Sequence, residues 1–158
     1  MRKDVIDRLY EIMKINPDVW TITADLGFGL FDKIREDFPD RFLNTGASEQ
    51  AASDICVGLA LSGKRPIFYS ITPFLLYRAF ETIRTYINHE SIPVILVGSG
   101  RDDDYKHDGW SHNASDDHLF MSHFKNIESF WPPDSEQACE VLDEAITGSS
   151  PVYLNLMR

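Results

Sequence analysis

The chain has 158 residues, 43% of them hydrophobic and 12% aromatic, enough for one domain with a proper core; a disordered tail, a collagen-like fibre and a disulfide scaffold are excluded. Lys and Arg number 15 against 25 Asp and Glu, and the formal net charge of -10 argues against nucleic-acid and membrane-surface roles while leaving small anionic ligands open. No apolar run approaches the roughly 20 residues of a bilayer span, no signal core follows Met1-Arg2-Lys3-Asp4, and Cys56 and Cys139 lie outside any CxxC pattern, so the expectation is a soluble, cytoplasmic protein with buried free thiols.

Val5, Leu9, Ile12 and Met13 recur at helical spacing, and Asn16-Pro17 stops that helix. Val19 to Thr23 reads as a short buried strand, followed by the turn Asp25 to Gly29 and a short helix with Leu30, Phe31 and Ile34 inward. Arg41 to Asn44 is a second strand. After Thr45-Gly46-Ala47-Ser48, with Ser48 as N-cap, a helix from Glu49 to about Leu61 turns Ala52, Ile55, Cys56, Leu59 and Ala60 to the core, and Gly63 closes it as a left-handed cap. Pro66 to Ser70 is a strand. One long amphipathic helix from Phe74 to about His89 carries Phe80, Ile83 and Ile87 on one face. Pro93 to Gly98 is nearly continuous apolar, as in a parallel strand covered on both sides. Ser99 to Ser115 is a polar loop; a short helix (116–122), a strand (126–130), a helix (134–146) and a last strand (151–156) complete the series.

This alternation predicts an α/β fold over residues 1–158 as one domain: a doubly wound, mainly parallel six-stranded sheet with helices on both faces. Ligands of such sheets sit at the carboxyl ends of the strands, which singles out the loops Asp25–Gly29, Thr45–Glu49, Ser70–Phe74 and Ser99–Ser115. Each loop residue of interest has two readings. Glu49 is either a first-turn carboxylate stabilised by the helix dipole, or, given small Gly46, Ala47, Ala51 and Ala52 around it, an acid that a flat ligand approaches closely. Phe74, on residue grounds alone, is a core aromatic at a helix start, and its second reading comes only with the motifs below. Arg78 is a solvated helix residue or a holder of a substrate anion, and Asp25 caps the next helix or faces a ligand. His107, His112, His118 and His123 stand among six aspartates, but their spacings match no fixed metal-ligand pattern, so no metal site is assigned.

Phe38-Pro39-Asp40-Arg41-Phe42 followed by Gly46-Ala47-Ser48-Glu49-Gln50 resembles the FPDRF…G-x-x-EQ signature of the transketolases and 1-deoxyxylulose-phosphate synthases. Phe74, Arg78, Phe80-Glu81 and Ile83-Arg84 resemble that family's F-x-x-x-R-x-[FY]-[ED]-x-I-R segment. Asp108-Gly109-Trp110-Ser111-His112 is similar to its DG-x-T-H, with Ser for Thr, and Asp117 matches a following acidic residue. Pro132-Pro133-Asp134 and Pro151-Val152-Tyr153-Leu154 resemble the family's P-A-D turn and closing strand.

The resemblance is to the pyrimidine-binding domain of thiamine diphosphate enzymes. It implies that Glu49 hydrogen-bonds N1′ of the cofactor's aminopyrimidine, sharing a proton so that the 4′-imino form strips C2 to the ylide. It implies that Phe74 stacks on the ring, that Asp25 and Tyr69 also belong to the cofactor site, and that His112 and Arg78 contact substrate. The G-D-G signature of the diphosphate domain does not occur, and the family's final domain has no counterpart after the sixth strand. The implication is a split enzyme. A second, diphosphate-binding subunit shares thiamine diphosphate and holds its Mg²⁺, in a heterotetramer or larger assembly. The implied reaction is two-carbon transfer or carboligation on a sugar; half of a two-chain 2-oxoacid decarboxylase and a non-catalytic interaction module are the alternatives.

Overall fold

Side chains alternate across a strand, and here that alternation splits the core into two layers on either side of one sheet. The computed structural model describes residues 1–158. Its strands are β1 (Val19–Thr23), β2 (Phe42–Asn44), β3 (Arg65–Ile71), β4 (Ile95–Ser99), β5 (Glu128–Phe130) and β6 (Val152–Leu156). They lie in the spatial order β2-β1-β3-β4-β6-β5 with every neighbouring pair parallel. The doubly wound α/β architecture read from the sequence is therefore the architecture of the protein. No helix is long and apolar enough to cross a membrane.

Ile67 and Tyr69 of β3, with Ile95 and Val97 of β4, face helices α1 (Arg2–Ile15) and α7 (Ser135–Thr147), whose Leu9, Met13, Ala138 and Leu142 fill that layer. The short α2 (Asp32–Asp37) closes its edge with Ile34. Phe68, Leu96 and Tyr153 face the opposite way, against α3 (Glu49–Leu61), α4 (Thr72–Arg78) and the small helix α6 (Asp117–Met121). Gly98 in β4 lets α4 come this near: a Cβ there would stand 2.7 Å from the Thr72 hydroxyl oxygen and 3.1 Å from that of Tyr153.

Two arginines tie the frame together through backbone oxygens. Arg41 of the FPDRF segment donates from Nη2 to the Met13 carbonyl at 2.9 Å and from Nη1 to that of Asn16 at 2.9 Å, satisfying the end of α1. Arg65 is buried and donates to the carbonyls of Ala145, Pro93 and Ser150. Burial lowers its pKa to about 10.

Several local expectations need correction. Ile55 is 38% exposed, not core-facing, whereas Leu59 and Ala60, half-buried, do pack against the core; the fully buried residues of α3 are Glu49, Ala52, Ser53, Cys56 and Val57. Two polar members shift that set away from the one hydrophobicity alone would pick. The long helix from Phe74 to His89 is three pieces: α4 ends at Arg78, a single turn α5 covers Phe80–Thr82, and Ile83–His89 is π-helical. The break turns Phe80 outward, 44% exposed, while Ile83 and Ile87 stay buried. Cys56 is buried but Cys139 only partly so. Gly63 does cap α3, at φ 80°.

Arg65→Met would leave the carbonyls of Ala145, Pro93 and Ser150, the first of them buried, without their donor. The expected cost is about 3 kcal/mol of folding stability, read as a lower urea midpoint at unchanged slope.

Candidate functional site

Glu49 is the first residue of α3, directly after the loop that leaves β2. Ser48 occupies the N-cap position but makes no side-chain cap bond, so the anticipated serine cap is absent. The Glu49 carboxylate is 3% exposed, and its Oε1 accepts a hydrogen bond from Arg78 Nη1 at 2.7 Å. Arg78 is the last residue of α4, one turn after Phe74, so both side chains leave the same helix face. Its guanidinium carbon lies 3.7 Å from the centroid of the Phe74 ring. His112, from the loop after β4, also packs on Phe74: the two rings meet edge-to-face with centroids 4.7 Å apart.

Thus four of the six residues singled out from the sequence, Glu49, Phe74, Arg78 and His112, come together from three successive post-strand segments. The other two lie elsewhere. Asp25 is exposed on the β1–α2 loop at φ 48°, with its amide donating to Asn44 Oδ1 at 3.0 Å. It does not cap α2, whose N-cap is Phe31. Tyr69 points into the α1–α7 layer, packed edge-on to Phe31 at 5.0 Å, on the face of the sheet opposite α3 and α4.

The His112 loop is held by specific contacts. Asp102 and Ala114 form an antiparallel bridge across its neck, through an amide-to-carbonyl bond of 2.8 Å. Gly100, at φ 88°, lies so close to the Tyr105 ring that a Cβ would stand 2.3 Å from it. The Tyr105 hydroxyl in turn accepts from Arg2 at 2.7 Å and lies 2.9 Å from Ser99 Oγ. His112 Nδ1 is 3.1 Å from Ser111 Oγ, which orients the imidazole. The remaining histidines do not join it: His118 stacks on Trp131 at 3.8 Å, and His107 and His123 are exposed. No three His, Cys, Asp or Glu side chains converge in a metal-binding group.

Asp117 was visible in the sequence only as an acidic residue following His112, yet it organises the ground beneath the site. It is 1% exposed, and its Oδ2 accepts from Trp131 Nε1 (2.8 Å), Tyr153 Oη (2.8 Å) and Asn155 Nδ2 (3.0 Å). The same Asn155 amide reaches the Thr72 hydroxyl at 3.1 Å, and that hydroxyl donates to the Gly100 carbonyl at 2.7 Å. One buried network therefore joins β6, the start of α4 and the root of the His112 loop. The signal for it was Asn155, a polar residue at an inward position of the apolar strand Val152–Leu156.

The description "Transketolase, pyrimidine binding domain" belongs to the family whose profile matches residues 1–158. The chain is 29% identical to one of the subunits of an apulose-4-phosphate transketolase from Actinobacillus succinogenes, over 96% of this chain and 49% of that protein. It is also 29% identical to a putative transketolase C-terminal section of Methanocaldococcus jannaschii, over 100% of this chain and 50% of that one. Among solved structures, a split-gene transketolase described as an inactive β4 tetramer superposes with a TM-score of 0.87 at 29% identity, covering 99% of this chain and 51% of that one. The chain thus spans about half the length of the relatives it matches.

Asp117→Leu removes the acceptor shared by three buried donors and should cost at least about 3 kcal/mol of stability. Asp117→Asn keeps an acceptor of the same size and should cost less; denaturant unfolding of the two variants checks the order.

Proposed function

The chain belongs to the transketolase pyrimidine-binding domain family, and on that premise we propose that it is the pyrimidine-binding subunit of a thiamine diphosphate-dependent, transketolase-like enzyme whose diphosphate-binding half is a second polypeptide. The observation that carries this reading is the buried Glu49 carboxylate joined through the Arg78 guanidinium to the face of Phe74. A carboxylate withdrawn from water suits a heteroaromatic nitrogen that shares a proton with it, and an aromatic face suits the ring carrying that nitrogen. The chemistry of the donor set therefore fits an aminopyrimidine. When bound, thiamine diphosphate supplies the carbon nucleophile and electron sink of two-carbon transfer.

Each residue then has a defined task. Glu49 holds and moves one proton at pyrimidine N1′, fixed by its place at the start of α3. Phe74 stacks on the ring and orients it. His112, packed against Phe74, hydrogen-bonds a substrate hydroxyl or carbonyl. Arg78, 46% exposed, takes an anionic group of the substrate. Asp25 lies on the exposed rim at the carboxyl end of β1, where a partner subunit would meet it. Tyr69 supports the cofactor site only indirectly, through the opposite core layer.

The two-chain organisation is supported by the names of the relatives: a transketolase subunit, a C-terminal section and a split-gene product. It is also supported by large apolar side chains left in solvent on segments that follow strands: Phe28 at 78%, Trp110 at 82% and Leu119 at 66% exposure. A diphosphate-binding subunit covering such side chains would bring the diphosphate and its Mg²⁺, and the assembly would be a heterotetramer or larger. The substrates proposed are ketose donors and aldose acceptors.

Glu49→Gln keeps size and hydrogen bonding but not the proton. In the assembled enzyme, exchange of the cofactor's C2 proton for deuterium should slow by orders of magnitude, while folding and assembly persist. A carboxylate serving only the helix dipole would cost about 0.3–1 kcal/mol of stability and leave that exchange unchanged. His112→Ala should lower turnover by about 10²-fold with cofactor affinity preserved, because removing a substrate contact acts on the chemical step; lost cofactor affinity at normal saturated turnover would overturn the assignment.

A further inference from the structure

Arg78 meets, in the free chain, the requirements that a pyrimidine ring must meet between Glu49 and Phe74. Its guanidinium is planar and delocalised. It lies 3.7 Å from the centroid of Phe74, and it presents an N–H to Glu49 Oε1 at 2.7 Å. The two partners differ in exposure: Glu49 is 3% exposed, whereas Arg78 is 46% exposed. Arg78 also ends α4, with Ala79 already out of helical geometry at φ -101°, ψ 18°. A change of side-chain rotamer withdraws the guanidinium without moving Phe74 or the helix.

We propose that Arg78 is an internal stand-in for the cofactor's aminopyrimidine. It fills the ring's place on Phe74 and Glu49 in the free chain, is displaced when the ring enters, and is thereby released to bind the anionic group of the substrate. The inference rests on the reading of Glu49 and Phe74 as the pyrimidine site. Its physical basis is that a buried carboxylate is costly without a partner, so the guanidinium leaves only when another hydrogen-bonding edge replaces it. One cation thus serves two sites in turn. Cofactor binding precedes anion binding, and the two strengthen each other reciprocally.

The exchange is read by nitrogen-15 NMR on the full chain titrated with 4-amino-5-hydroxymethyl-2-methylpyrimidine, the free ring portion of the cofactor. In the wild-type protein the Arg78 Nη–H signal, held by the hydrogen bond to Glu49 and so sheltered from solvent exchange at the start, should shift and lose that shelter along the saturation curve that moves the Phe74 ring signals. Arg78→Met should bind this probe about tenfold more tightly, the factor for a competitor that fills the site about nine-tenths of the time. Arg78→Lys should fall between the two, since an ammonium cannot lie flat on the ring. Inorganic phosphate should bind the wild-type chain more tightly when the probe is present, and Arg78→Met should lose that gain. If the probe moves Phe74 while Arg78 stays sheltered, or if Arg78→Met binds no more tightly, the exchange is refuted and the pyrimidine site stands. If the probe moves neither residue in any of the three proteins, the pyrimidine reading is refuted and the exchange with it.

Discussion

Glu49 places a carboxylate, almost fully withdrawn from water, at the first residue of α3, and a buried charge of this kind is tolerated only with a partner at hydrogen-bonding distance. The partner comes from the next crossover. β3 delivers the chain into α4, and the turn from Phe74 to Arg78 carries the guanidinium back over the aromatic ring to Glu49. The pairing requires α4 to lie close against the sheet, which Gly98 permits by offering no side chain where the Thr72 hydroxyl sits. The helix dipole at the start of α3 adds a smaller favourable contribution to the same charge.

The polar network under the site does a different job from the ion pair above it. Asp117, Tyr153, Trp131, Asn155 and Thr72 are hydrogen-bonded in a layer otherwise filled with Ile, Leu and Phe. In a low-dielectric interior such bonds have one good arrangement, so they fix the relative positions of the segments they join. Those segments are β6, the beginning of α4 and the root of the loop that carries His112. The separation of Phe74 and His112 is thereby set from below, by residues outside that pair. Asp117 Oδ1 makes no protein hydrogen bond, so the network holds this carboxylate through one oxygen only.

The sheet was legible because covered parallel strands are nearly continuous apolar runs: the segments ending at Ser70, Gly98 and Leu156 could be read directly. The site was legible in part because short motifs fall on loops that the alternation of strands and helices already marks as ligand-facing, and Glu49, Phe74, Arg78 and His112 duly converge. Hydrophobicity misplaced the face of α3 because Ser53 and Glu49 are buried there while Ile55 is not. The π-helical stretch from Ile83 to His89 has no residue signature of its own; the apolar spacing of Ile83 and Ile87 is equally that of an α-helix. Tyr69 could have been separated from Phe74 by the two-residue period of β3, which sends Phe68 and Ser70 toward α4 and Tyr69 away from it. The ion pair itself is a contact between residues far apart in the chain, and no local pattern announces it.

A pyrimidine subunit that presented an open carboxylate and a bare aromatic face would bind flat aromatic amines indiscriminately, since one ring stack and one hydrogen bond are available to any of them. With Arg78 in place, that binding energy is opposed by the ion pair the ligand must open, and a ring fragment alone gains little. A cofactor anchored at its other end behaves differently. On the proposed reading, a partner subunit holding the diphosphate would present the ring to Glu49 and Phe74 at high effective concentration, and the same opposing ion pair would be overcome without any new contact. On that reading, selectivity for the whole cofactor comes from the division of its contacts between two chains, and Arg78 is the element that makes neither half sufficient.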